Sequence, residues 1–154
     1  MIKVEVLINA KAWKKYINNP AMYLKKKLRK AEKSIDIFKK NELNFSLLLS
    51  GDQEIKKLNK KFRKKNKITD VLSFPFHEKK IFHKILKKKK NIYLGDIIIN
   101  LNKIIKQSNK KSFSDEFDKI WIHGLTHLLG YRHKLKKDFL SMQRLENKII
   151  KSVQ

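Results

Sequence analysis

An α+β domain, a small mixed sheet with helices packed around it, is what the sequence predicts. Two observations carry the prediction. Stretches with period-two alternation are interleaved with stretches of near-3.6 spacing, in the order β-α-β-α-β-β-α-α-α. The 154 residues also show no internal repeat and no break in composition, so residues 1–154 read as one domain, large enough to bury a core without staples.

Residues 2–8 (IKVEVLI) alternate like a half-buried strand. Asn19 and Pro20 mark the start of an amphipathic helix whose apolar positions are Leu24, Leu28, Ala31 and Ile35. Leu43 to Ser50 predicts a second strand. Ser50-Gly51-Asp52 closes it, with Asp52 as the expected N-cap of a helix carrying Ile55, Leu58 and Phe62. Val71 to Phe76 predicts a third strand, and Pro75 puts its end there or makes it an edge strand.

Residues 77–93 hold the block Lys87 to Lys90 and read as a solvated loop, with His77 and His83 as surface residues. Leu94 to Asn100 predicts a fourth strand and Leu101 to Lys110 a helix. Another helix starts near Ser112, with Asp115 three residues on in a weak capping box. Its apolar face is Phe117, Ile120, Trp121, Leu125 and Leu128. A last helix uses Phe139, Met142, Leu145 and Ile149.

Cysteine is absent, which excludes disulfides and thiolate metal sites. The alternating N-terminus is unlike a signal peptide, and no stretch has the length of a membrane span, so a soluble cytoplasmic protein with no membrane partner is expected. The formal charge of +25 attracts polyanions, RNA or DNA above all. A coding bias toward A and T would also produce this lysine-, isoleucine- and asparagine-rich mixture, so charge supports a nucleic-acid partner without establishing one.

The sharpest local signal is HGLTHLLGYRH, which puts three of the five histidines within residues 123–133. On a helix His123 and His127 project from one face, a turn apart. Gly130 can take the left-handed conformation that ends a helix, returning His133 toward the first two rings. Three imidazoles with no visible fourth ligand make an open zinc site, the arrangement of a catalytic rather than a structural ion. A lone histidine on an apolar face usually only packs; three at this spacing around a glycine point to one Zn2+.

The spacing His-x3-His-x2-Gly-x2-His is that of metzincin proteases, which place their general-base glutamate directly after the first histidine. Here that residue is Gly124. Peptide hydrolysis by that route therefore lacks its base. Trihistidine zinc can still acidify water or polarise a substrate oxygen, and a phosphodiester suits it, with basic side chains steadying the charge of the transition state.

The segment HGLTHLLGYRH, with glycine after its first histidine, resembles the YbeY family of bacterial endoribonucleases, the rRNA maturation factors. Three further blocks agree, in order: LNKKFRKKNKITDVLSFPF at 58–76, LGDIII at 94–99 and MQRLEN at 142–147. The resemblance implies an αβα fold with a four-stranded sheet, mostly parallel with one antiparallel strand. It implies His123, His127 and His133 as zinc ligands, Arg63 as the arginine facing the metal and Lys65 as a nearby basic residue. It further implies a single-strand-specific endoribonuclease that matures the 3′ end of small-subunit (16S) rRNA and polices defective ribosomes. Its partners would be rRNA and the small ribosomal subunit, with ribosomal proteins and an assembly GTPase beside them. Arginine suits the role given to Arg63, since a guanidinium can bind two phosphate oxygens at once.

Asp70, Ser73 and Asp96 are weaker site candidates, equally explained as turn or capping residues. Arg132 departs from the family's pattern, which has aspartate there, and it adds positive charge beside the last histidine. The attacking group, a water or the substrate's own 2′-hydroxyl, stays open. Two other readings remain: a noncatalytic zinc-containing ribosome-assembly factor, and a metalloprotease with metzincin-like spacing.

Overall fold

The computed structural model describes residues 1–108 and 112–154. The four expected strands form β1 (Ile2–Ile8), β2 (Glu42–Ser50), β3 (Val71–Pro75) and β4 (Asn91–Asn100). They make one sheet in the order β1-β2-β4-β3. β1/β2 and β2/β4 pair parallel, while β3 runs antiparallel to β4. β3 is thus an edge strand, which is where a proline at its end does no harm to a ladder.

The helices are α1 (Pro20–Glu32), α2 (Asp36–Lys40), α3 (Asp52–Arg63), α4 (Lys79–Lys88), α5 (Leu101–Gln107), α6 (Phe113–Leu128) and α7 (Lys136–Val153), with a 3-10 turn at Lys11–Lys15. Among the described residues no helix is long and apolar enough to cross a membrane. Asn100 and Ser112 cap α5 and α6 by accepting the backbone N–H of Asn102 and Asp115. α5 runs to Gln107 with Ser108 as its C-cap, and the end expected at Lys110 lies, with Asn109, outside the described residues.

Two further differences have clear causes. Gly51, not Asp52, is the N-cap of α3. The Asp52 carboxylate instead accepts the side-chain amides of Asn100 (2.7 Å) and Asn102 (3.1 Å), and these bonds hold it below the usual carboxylate range. Residues 79–88 are helical rather than a loop, because Phe82 is buried and Ile85 and Leu86 pack against the same core. His77 is half-buried against Phe82 and His83 exposed.

The sheet's two faces are covered unequally. Leu43, Phe45, Leu47 and Leu49 of β2 with Ile97 and Ile99 of β4 point into the main core, under α1, α6 and α7. Leu72 and Ile98, with the partly buried Leu48 and Phe74, point the other way and meet Ile55 and Leu58 of α3. Period-two alternation thus feeds two cores from single strands, and helices lie on both faces.

Two polar clusters fix the elements around the site. Asp118 of α6 accepts Tyr23 Oη (2.9 Å) and Trp121 Nε1 (2.9 Å) on one oxygen and Lys27 Nζ (2.7 Å) on the other, tying α6 to α1. Burial, reinforced by that carboxylate, pushes the Tyr23 hydroxyl's pKa upward. Asn100 is fully buried at the end of β4; besides Asp52, its amide reaches the Thr69 carbonyl (3.2 Å), and its backbone N–H donates to the Asp70 carbonyl (2.8 Å). The start of β3 is thereby fixed.

Candidate metal centre

His123 and His127 project from the C-terminal part of α6, their ring centroids 4.7 Å apart. The helix ends as Gly130 was expected to end it. Gly130 has φ +88°, its N–H donates to the His127 carbonyl (3.0 Å), and the Tyr131 N–H donates to the Thr126 carbonyl (3.1 Å). This pair of bonds is a Schellman closure. The reversed chain brings the His133 ring to 5.2 Å from His127 and 6.0 Å from His123. One ring nitrogen from each histidine lies within 4.8 Å of the other two.

The orientation of two rings is set from behind. His123 Nδ1 meets Glu146 Oε1 of α7 at 2.7 Å, and His127 Nδ1 meets the Tyr131 carbonyl at 3.0 Å. An acceptor at Nδ1 holds the proton there and leaves the Nε2 lone pair for a metal. The two Nε2 atoms face each other at 3.2 Å. Two lone pairs at that distance repel unless a cation or proton sits between them. Burial pushes His127 down to about 4, and the neighbouring His123 adds to the fall. A neutral imidazole is the ligating form. The three histidines therefore fit a divalent ion, and with three protein ligands the set is open on one side.

Glu146 is the functional residue that sequence reasoning missed. It lies on α7 four residues after buried Met142 and three before buried Ile149. A carboxylate set into an apolar helical stripe needs a partner, and that was the available signal.

The histidines open into a cleft of about 430 Å³, walled on one side by Val71, Ser73 and Pro75 of the edge strand. Arg132 and Lys134 line it from the turn after α6, and Arg63 lines it from the end of α3. Arg63 Nη2 donates to the Ser73 carbonyl (2.8 Å), and its guanidinium carbon sits 5.6 Å from the Phe74 ring centroid. Lys64, with φ +58°, turns the chain away after Arg63. Lys65 follows in that turn, exposed, and is not among the residues lining the cleft. Asp70 lines the cleft and accepts the Val71 N–H (2.8 Å). Asp96 does not line it; it accepts Tyr93 Oη (2.6 Å) toward the α3 side of the sheet.

Gly124 faces away from the cleft. It is buried, and a Cβ there would come 2.8 Å from Ile97 Cγ2 of β4. The place where metzincins carry their glutamate is here the contact between α6 and the sheet.

Fold and site together define an α+β protein whose open trihistidine cluster, suited to a metal ion, lies in a basic cleft. A family model described as Endoribonuclease YbeY matches residues 6–154. A relative from Pelagibacter ubique, named Endoribonuclease YbeY, is 40% identical over 155 residues, covering 99% of this chain and 97% of its own. A Buchnera aphidicola relative of the same name is 43% identical over 135 residues, with 86% and 79% covered. The solution structure of a Thermotoga maritima protein aligns with TM-score 0.61 at 24% identity, over 99% of this chain and 89% of that one, a likeness of fold. The chain belongs to the YbeY endoribonuclease family.

Proposed function

We propose that this protein is a zinc-dependent endoribonuclease of the cytoplasm that cuts single-stranded RNA. In this reading it matures the 3′ end of 16S rRNA within the small ribosomal subunit and takes part in ribosome quality control. The observation that carries the reading is the open trihistidine cluster at the floor of a cleft lined by Arg63, Arg132 and Lys134. Family membership supplies the nuclease class, and the charge of +25 suits a polyanion.

His123, His127 and His133 would hold the ion, and zinc so held supplies Lewis acidity toward water and phosphate oxygens. The chain's own groups do the rest. Arg63 uses one of its five N–H donors on Ser73, which aims the planar group along the edge strand and leaves the others for phosphate. Arg132 and Lys134 neutralise the neighbouring phosphates, and Glu146 keeps the His123 ring turned inward. Lys65, two residues after Arg63 and outside the cleft lining, would contact the strand further along. Asp70 is the one carboxylate among the described lining residues. Attack by water and attack by the 2′-hydroxyl leave different termini, so end-mapping separates them.

The test uses a 16S precursor with its 3′ extension, supplied free and within small-subunit particles. The expected result is a new 3′ end at a fixed position in at least one form. An extension left intact in both would overturn the rRNA assignment.

A further inference from the structure

Phe76 follows directly on Pro75, which lines the histidine cleft, yet the residue is 68% exposed. Single exposed hydrophobics are common and need no explanation. This one is held in place. Its N–H donates to the Leu94 carbonyl (2.9 Å), and Gly95, with φ +130°, lets β4 approach so closely that any Cβ would strike the Phe74 carbonyl and the Phe76 nitrogen. Its ring packs edge-to-face with His77 (5.0 Å, 88°) and Tyr93 (5.5 Å, 70°), and His77 in turn stacks on buried Phe82. Two aromatic neighbours, one of them backed by Phe82, brace a side chain that stays mostly in water.

We propose that Phe76 is a stacking platform for an unpaired base of the RNA whose backbone lies in the histidine cleft. The proposal rests on the ribonuclease reading above and names the residue that would prefer single strands. A single strand is held by a basic track for its phosphates together with aromatic faces for its bases. Arg63, Arg132 and Lys134 supply the track, and Phe76 follows Pro75 of its wall in the chain, with its ring against Tyr93 at the end of the edge strand. A base within a duplex is already stacked and offers no free face to this ring.

The test measures equilibrium binding of a labelled single-stranded oligoribonucleotide, in a His127→Ala background so that nothing is cut. Phe76→Ala is expected to weaken binding by about tenfold, Phe76→Tyr to bind like the background, and Phe76→Leu to bind like Phe76→Ala. An oligonucleotide of the same length lacking its bases should bind the background and Phe76→Ala equally. Phe76→Trp gives a direct readout, since Trp13 and Trp121 are both fully buried and the new indole alone would face water. Its emission should be quenched by the single strand and not by the duplex. Unchanged affinity in Phe76→Ala, or full affinity in Phe76→Leu, would overturn the stacking role and leave the ribonuclease reading standing. A background protein that binds no single strand, together with a zinc-loaded parent that cleaves none, would overturn both.

Discussion

At the scale of residues, the site depends on side chains that fix other side chains. Glu146 Oε1 meets His123 Nδ1 at 2.7 Å and also accepts the Thr126 hydroxyl (3.3 Å), and a partner in that position typically governs metal affinity by 10–100-fold. Glu146→Ala should therefore weaken zinc binding by about that factor, measured by competition with a chelating dye, while Glu146→Gln keeps an acceptor and loses less. His127 sets a pH dependence. Its folded-state pKa is pushed down to about 4, below the ordinary value of 6.5, chiefly by burial. Between those values the unfolded chain binds more protons than the folded one. The metal-free protein should hold its stability above about pH 6.5 and lose it steadily as pH falls toward 4. Urea unfolding of the metal-stripped protein across this range checks the slope, which His127→Gln should flatten.

At the scale of elements, α6 carries the site and its packing on β4 carries α6. Gly124→Ala would add a methyl group into the Ile97 side chain. Overpacking costs roughly 1–3 kcal/mol and exceeds the ~1 kcal/mol that alanine gains over glycine in a helix. A net loss of about 1 kcal/mol in denaturant unfolding is expected. α6 was also the most legible element, since its cap Ser112, its apolar face and its glycine stop are all local signals. Elements without such signals were lost. Five-residue α2 is too short to show a period. α4 was hidden because the lysine block suggests repulsion, although Phe82, Ile85 and Leu86 already stand at helical spacing; burial of that face outweighs the exposed charge. In the site the same rule holds. The three histidines fall within residues 123–133 and were found together, whereas Glu146 lies 23 residues beyond His123 and meets it only through the packing of α7 on α6.

At the scale of the whole molecule, the charge of +25 and the cleft cations should make RNA binding steeply salt-dependent. Each phosphate neutralised on a single strand adds about −0.7 to the slope of log K against log salt. Arg63→Ala should keep its zinc, reduce that slope by about 0.7 and lower cleavage by roughly 10²–10³-fold. Binding isotherms at several salt concentrations, read beside metal content and turnover, check all three. The central claim is that the trihistidine cluster cuts RNA, and one comparison tests it most directly: cleavage of a single-stranded RNA by the parent protein beside His127→Ala from the same purification. The account predicts cleavage by the parent and none by the variant. Equal cleavage by both, or none by the parent with zinc bound, would contradict it.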